Sequence, residues 1–442
     1  MNVFNELSEE VDHYLKKLFP ISRSLTGNGN RSSLSLLQEI VPLVIHDYPC
    51  GSKVYDWVIP DEWLIYDAWI KDESGNRLVD WNLCNLHVVN YSVPVHALFT
   101  YDELVPKLYH LENYPEAIPY RTAYYEKDWG FCVTGTQLES LRHAKGKPEV
   151  CIDSKFAPDG TMTIGDIVIP GLRKEEFLVS TYICHPSMAN DNLSGLITTA
   201  LLARHLLELG SPEHSWRFVF VPETIGAIAY LKFNPDMVEN TRGGFVVSCC
   251  GGTGSLGYKE TFLGNHLVDR AVRLAFRDHN VTPIRYPFVP DGSDERQYSS
   301  PGFRIPVATI TKDKYYEFPQ YHTSMDNLDF VNGRQIVESL QIYQTAIEIL
   351  DGNRKYKSTQ PCGEIQLSSR GLYPTIGGSV NQHLGAVESQ ADQKAQLDVI
   401  LWLLFLADGS NDYVDIAEQT GYKFSLIKNI ANLLETHGLL LS

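Results

Sequence analysis

Four short segments of this chain carry residue types that can do hydrolytic chemistry. They are Cys184-His185-Pro186-Ser187-Met188-Ala189-Asn190-Asp191, Pro222-Glu223-Thr224-Ile225-Gly226, Ser293-Asp294-Glu295 and Tyr321-His322-Thr323-Ser324-Met325-Asp326. The imidazole of His185 and the carboxylate of Asp191 are good ligand types for Zn²⁺. Glu223 follows the apolar run Phe218-Val219-Phe220-Val221, a place where a carboxylate can act as general base toward a water at a metal. Asp326 stands four residues after His322 and could fix the tautomer of a ligand histidine. Each residue also has a plainer reading. Asp191 could be an N-cap, Glu223 a helix-start carboxylate favoured by the dipole, Asp326 a turn cap, His185 a polar strand end and His322 a surface residue. Arg121, Arg296, Tyr315, Tyr316 and Tyr321 could bind a substrate carboxylate or stabilise an oxyanion, or simply pack.

These segments need a scaffold that brings them together. Each follows a stretch that reads as a β-strand or the approach to one, and open α/β sheets build their sites at strand ends. From Phe177 onward strands and helices alternate. Strands are expected at Phe177 to Cys184, Trp216 to Val221, Gly244 to Cys250 and Ile305 to Thr311. Helices are expected at Leu193 to Leu209, Ile225 to Lys232, His266 to His279 and Gly333 to Leu350. Near-continuous apolar strands between amphipathic helices predict an α/β fold with a doubly wound, mostly parallel sheet. Glu149 to Ile169 reads as a hairpin turning at Pro158-Asp159-Gly160.

Before this region lie two helices, Glu6 to Leu18 and Ser32 to Val41, around a polar, Gly-rich loop from Ser22 to Asn30. Short strands at Val54 to Ile59, Trp63 to Ile70 and Leu86 to Tyr91 suggest an inserted small β-domain. After it, Asp351 to Gly363 reads as a polar linker. The tail, with helices at Leu397 to Leu406, Val414 to Gln419 and Ser425 to His437 and a strand at Leu439 to Leu441, predicts a winged helix-turn-helix. The expected boundaries are 1–50 for N-terminal helices of the catalytic domain, 51–118 for the β-insertion and 119–355 for the catalytic domain. A linker and extended segment at 356–390 and the winged helix at 391–442 complete them.

Composition narrows the function classes. The 442 residues carry 54 acidic and 37 basic side chains, a net charge of −17. That disfavours nucleic-acid and anionic-membrane binding. The tail has three basic residues against seven acidic ones from Ala391 to Ser442, without the basic stripe a phosphate-binding face needs. Protein contact or self-association is the better expectation for it. No apolar run approaches the ~18 residues of a membrane span, and no signal-peptide pattern opens the chain. Eight cysteines without C-x-x-C spacing fit free thiols in a reducing cytoplasm.

The four segments, in this order, resemble the zinc aminopeptidase superfamily of bacterial leucyl aminopeptidases, glutamate carboxypeptidase II and glutaminyl cyclases. The segment Asn190-Asp191-Asn192-Leu193-Ser194-Gly195 is similar to that superfamily's metal-bridging motif. A closer resemblance, over nearly the whole chain, is to a bacterial aminopeptidase-like family with an inserted β-domain and a C-terminal winged helix. Some of its members are linked to surface-polysaccharide gene clusters. It rests on Arg23-Ser24, Tyr120-Arg121-Thr122, Trp129-Gly130-Phe131-Cys132, Cys184-His185-Pro186, Pro222 to Gly226 and Gly371-Leu372-Tyr373-Pro374. The resemblance implies His185, Asp191 and His322 as metal ligands and Glu223 as base. Two ligands of the usual metal pair are missing: Thr224 stands where a second glutamate is usual, and Val247-Ser248-Cys249-Cys250 lacks the usual aspartate. Three ligands plus water make a mononuclear catalytic site, so one Zn²⁺ per chain is expected. Asp326, Asp294, Glu295, Arg121 and Tyr321 are the candidates for supporting or substrate-binding roles, and Glu295 could recover a metal ligand. The implied activity is release of an N-terminal residue from a peptide. The alternatives are deacylation of a sugar-linked or small amide, and a binding or regulatory protein that keeps the fold without activity.

Overall fold

The computed structural model of the chain describes residues 2–372 and 390–441. Tyr373 and Pro374, and most of the segment expected as a linker, lie outside the described residues. The chain divides into two compact units, Met1–Gly264 with Pro283–Gln341 and Asn265–Thr282 with Ile342–Ser442.

The first unit is built on an eight-stranded sheet. Its strands are β1 (Val44–Pro49), β2 (Thr161–Ile169), β3 (Glu176–Tyr182), β4 (Ser215–Val221), β5 (Thr241–Val246), β6 (Leu256–Lys259), β7 (Ile284–Tyr286) and β8 (Val307–Lys312). They lie in the order β1-β2-β4-β3-β5-β8-β6-β7. The central four, β4-β3-β5-β8, are parallel. Every residue of β3 and β8 is buried, which explains why their sequences show no polar alternation: helices cover both faces of a parallel sheet. The opening helix Asn2–Leu18 buries Val11, Tyr14, Leu15 and Leu18, the three-and-four spacing of one helical face. The fold is thus the doubly wound, mostly parallel α/β architecture that the sequence predicts.

The hairpin expected over 149–169 is overturned. Strand Glu149–Ala157 and β2 both form, and Gly160 N–H closes the turn on the Ala157 carbonyl. They pair with other strands, however. Glu149–Ala157 lies between Glu62–Lys71 and Val95–Leu98 in a separate antiparallel sheet, completed by Arg77–Asp80. Strand β2 lies between β1 and β4. With both edges of each strand already taken, the turn joins two sheets. The small sheet therefore draws a strand from beyond residue 118. Leu86 to Tyr91 forms a short 3₁₀ turn, Asn85–His87, and isolated bridges at Val88 and Asn90.

In the second unit, helices Gln390–Phe405, Tyr413–Thr420 and Phe424–Thr436 accompany a three-stranded sheet. Its central strand is Lys355–Ser358, flanked by Asp408–Asp412 and Leu440–Leu441. The stretch read as linker thus contributes a strand. Helix Leu267–Asp278 belongs to this unit as well. Its Arg270 pairs with Asp415 and Glu418, and its Arg277 donates to the carbonyls of Ala417 and Tyr422. All eight cysteines are free thiols. Among the described residues no helix is long and apolar enough to cross a membrane.

Candidate metal and acid–base site

Three of the parallel strands deliver the site at their carboxyl ends. Past Tyr182 the chain stays paired through Ile183 N–H to the Val221 carbonyl and then reaches His185. Arg23, fully buried, donates its Nε–H to the His185 carbonyl at 2.8 Å and another N–H to the Leu18 carbonyl at 2.7 Å. Burial lowers its pKa to about 9, and it stays cationic at neutral pH. Asp191 sits on the loop that leads into helix Gly195–Leu209. Asn190 Oδ1 accepts from Gly251 N–H at 2.7 Å, and its amide nitrogen donates to the Lys312 carbonyl at 3.2 Å. These bonds stitch the loop to the chain after β5 and to the end of β8. A Cβ on Gly195 would fall 2.2 Å from Asn192 Oδ1 and 2.5 Å from the Val247 carbonyl, so only glycine lets the helix start here.

The geometry at the centre is tight. His322 Nε2 lies 3.1 Å from Asp191 Oδ2, and His185 Nε2 lies 4.0 Å from the same oxygen. Glu223 Oε2 is 3.9 Å from His185 Nε2. The ligand atoms of His185, Asp191 and His322 all lie within 4.8 Å of one another. Asp191 Oδ2 and His322 Nε2 are both buried and without a hydrogen-bond partner. Buried polar atoms are rarely left so, and facing nitrogen and carboxylate atoms of this kind fit a divalent cation such as zinc. Aromatic rings wall the cluster. Tyr120 packs on His185 and His322, with centroids 5.3 and 5.1 Å away, and Tyr321 stacks on His322 at 3.9 Å.

The electrostatics sort these groups into roles. Burial works against ionising Asp191, but His185, His322 and the Tyr182 hydroxyl, which donates to Oδ1, hold its pKa down at about 2. Burial lowers His185 to about 4 despite Asp191, so its imidazole is neutral at pH 7, the form that ligates. Glu223 is different: 27% of its side chain is open to solvent. The surrounding walls and the Asp191 charge still raise its pKa to about 7, a value matched to proton transfer at neutral pH. A second grouping, Cys184, His185 and Glu223, also brings ligand-type atoms together. Its thiol is the weaker candidate, because burial and Glu223 hold it well above its ordinary pKa.

The remaining sequence candidates fall in several places. Asp326 does serve the site, through the Asp191 loop: its carboxylate accepts Asn190 N–H at 2.6 Å and Asp191 N–H at 2.8 Å. The reading of Asp326 as the carboxylate that orients His322 is corrected accordingly. The turn that bonds Asp326 N–H to the Thr323 carbonyl directs its side chain to the Asn190–Asp191 backbone. Asp294, fully buried, accepts Thr224 N–H at 2.7 Å and braces a threonine held at φ +64°, a costly conformation for a β-branched residue. Glu295 is turned elsewhere. It is buried, accepts from Thr309 Oγ1 at 2.8 Å and faces Lys259 Nζ at 3.8 Å. Arg121 lies over the Tyr109 ring at 4.3 Å and lines a cavity of about 530 Å³ with Tyr120, Tyr321 and His322. A larger cavity of about 750 Å³ in the second unit, among Pro361, Trp402 and Phe405, contains none of the four segments.

Sequence reasoning missed Tyr182. A tyrosine near the end of a fully buried strand needs a partner for its hydroxyl, and that requirement was the available signal. It also left Arg23 without a role, although a buried arginine is too costly to be incidental.

The parallel sheet with this cluster at its strand ends defines an aminopeptidase-like α/β fold. A family model described as Domain of unknown function (DUF4910) matches residues 12–353, and a winged helix-turn-helix model matches residues 354–442. The chain belongs to the DUF4910 family. A relative from Clostridium acetobutylicum is 39% identical over 430 residues, 97% of this chain and 95% of the other. Its name assigns it provisionally to polysaccharide biosynthesis and gives it an aminopeptidase-like domain. A C. acetobutylicum crystal structure, described provisionally as a peptidase, superposes with a TM-score of 0.90 at 37% identity, covering 99% of this chain and 97% of that one. BSAP, a zinc aminopeptidase from Bacillus subtilis, shares the fold at a TM-score of 0.56 and 14% identity over 77% of this chain and 95% of that one.

Proposed function

We propose that the chain is a zinc-dependent amide hydrolase that releases an N-terminal residue from a peptide. In this reading one zinc ion is held by His185, Asp191 and His322, with Glu223 as general base. The observation that carries it is the convergence of those three ligand atoms beside a carboxyl whose pKa is raised to about 7. Zinc bound there would supply Lewis acidity toward a substrate carbonyl and a water. Glu223 takes a proton from the water as its oxygen bonds to the carbonyl carbon. It returns that proton to the nitrogen as the C–N bond breaks, which regenerates the base. Tyr120, Arg121 and Tyr321 line the cavity beside His322, where the Arg121 guanidinium offers an anchor for a substrate carboxylate or carbonyl.

The name of the C. acetobutylicum relative favours a second reading, deacylation of a sugar-linked amide at the same site. We place the reaction in the cytoplasm and assign the acidic winged helix to protein contact or self-association. The test combines metal analysis of protein purified without added zinc with a substrate panel of aminoacyl anilides and N-acyl amino sugars. One zinc per chain is expected, together with turnover that Glu223→Gln lowers by about 10²–10⁴. Two tightly held metals, none after zinc is supplied, or full activity in Glu223→Gln would sink the proposal. Ligand binding without any turnover would favour a non-catalytic member of the fold.

A further inference from the structure

Two adjoining cavities of the first unit lie among residues that the hydrolytic site does not use. One, of about 570 Å³, is lined by Asn82, Asn85, Ser187, Ser324, Asn327 and neighbouring apolar residues. The other, of about 240 Å³, lies under the loop from Ile21 to Ser32. They share Ser22 and Trp81. Neither is lined by an Asp, Glu, Lys, Arg or His, in a chain where 21% of residues are charged. Asparagine amides, serine hydroxyls and a half-buried tryptophan make up the polar and aromatic wall of the larger one.

Asn85 anchors this wall from within. It is 8% exposed, its amide nitrogen donates to Ser187 Oγ at 2.7 Å and to the Pro20 carbonyl at 3.4 Å, and its Oδ1 is buried without a partner. The wall is also preformed. Thr26 Oγ1 accepts Trp63 N–H at 3.0 Å, and the Trp63 indole donates to the Ser92 carbonyl at 3.0 Å. Gly27, at φ +102°, lies so close that a Cβ would meet the Trp63 carbonyl at 2.6 Å.

From this lining we infer that the paired cavities bind a neutral saccharide. Amides and hydroxyls can both donate to and accept from sugar hydroxyls, and an indole face suits the apolar face of a pyranose ring. A nucleotide or a free peptide would bring phosphates or charged termini that nothing in the lining compensates. The volume of the larger cavity falls in the usual range for a small-molecule site, and its fixed wall lowers the ordering cost of binding. Ser187 and Ser324 stand two residues beyond His185 and His322, so an occupant touches the segments that carry the hydrolytic site. The inference stands on the cavities alone and does not rest on amide hydrolysis.

The test is ligand-observed NMR on the full chain, with N-acetylglucosamine and methyl glucoside as neutral probes and glucuronate and glucosamine as charged ones. Saturable binding of at least one neutral probe is expected at about 1–10 mM, with no comparable binding of the charged pair. Trp81→Ala should weaken it about three- to tenfold, the worth of one aromatic face, and Trp81→Phe should largely restore it. Leu83→Arg changes a residue that is 86% exposed yet lines the larger cavity. It should lower neutral-sugar affinity without disturbing the fold. The inference is overturned if neither neutral probe binds, if the charged probes bind as well, or if binding is the same in Trp81→Ala and Leu83→Arg.

Discussion

Asp326 is the most exacting place to test how the site is held. It is fully buried and accepts two backbone N–H groups, from Asn190 and Asp191. Replacing it with alanine leaves both donors buried and unpaired, at about 1–3 kcal/mol each. Asparagine keeps one acceptor and turns an N–H toward the other donor, so it should cost about as much as one lost bond. The chain has two units, and a single unfolding midpoint would blur a local effect. Hydrogen exchange of a peptide spanning residues 186–195 reads it directly. Loss of one bond should speed exchange of the affected amide roughly 5- to 150-fold, if local opening governs it. Because Asp191 rides on that backbone, zinc affinity measured against a competing chelator should fall about 10- to 100-fold. If Asp326→Ala left both exchange and zinc affinity unchanged, the loop's other bonds, from Asn190 and from Asn192 to Thr181 Oγ1 and the Tyr182 carbonyl, would suffice to hold it, and the reasoning would fail.

The proposed role of Glu223 carries a pH signature. Only the ionised carboxylate accepts a proton, so kcat/KM should fall tenfold per pH unit below its pKa. A cation beside it lowers that pKa, so the midpoint should lie between the ordinary 4.5 and the value of about 7 set by the walls. Glu223→Gln should remove this limb and lower kcat by about 10²–10⁴ while zinc content, read by mass spectrometry, stays the same. Tyr182→Phe deletes the hydroxyl that donates to Asp191. It should raise the Asp191 pKa and weaken zinc binding about tenfold, most clearly in titrations below pH 6, with the fold unchanged by circular dichroism.

What the sequence disclosed, and what it hid, follows from how local each cause is. The buried strands were legible because Phe218 to Val221 and Phe177 to Cys184 are apolar runs that only a covered sheet accommodates. The site was legible because its ligand types cluster just after such runs. Pairing partners were not, because Pro158-Asp159-Gly160 makes the same turn whether its strands pair together or enter two sheets. Leu86 to Tyr91 looked like a strand because it is apolar. Yet Asn85 bonds Ser187, and the His87 ring bonds the Cys132 carbonyl, so long-range side-chain bonds tie it down as a turn. The Lys355–Ser358 strand is polar apart from Tyr356, which is 1% exposed, and one buried position is too little pattern to recognise. Glu295 was taken for a ligand candidate because Lys259, its partner across the fold, is remote in sequence.

Charge balance argues for a single metal ion more strongly than ligand counting does. Two neutral imidazoles and the Asp191 carboxylate leave one net positive charge on a divalent ion, which ionised Glu223 cancels. A second ion would add two more positive charges at a cluster where His185 and Asp191 are 6% and 1% exposed. The segments that resemble carboxylate-bearing ones elsewhere carry Thr224 and Val247-Ser248-Cys249-Cys250 here, without a carboxylate, and Cys249 is the residue of the second that lies buried beside Asp191 and Tyr182. Glu295 cannot compensate, because it faces Lys259, and Asp294 already accepts Thr224 N–H. Desolvating an uncompensated ion costs several kcal/mol, so the second ion should bind weakly. The change that reverses this is Thr224→Glu combined with Cys249→Asp, which places a carboxylate in each segment. Metal analysis should then give two zinc ions per chain where one is expected for the natural sequence. If the double variant folds and still holds only one, charge is not what limits the site, and the limit lies in the geometry of the loops that carry His185 and His322.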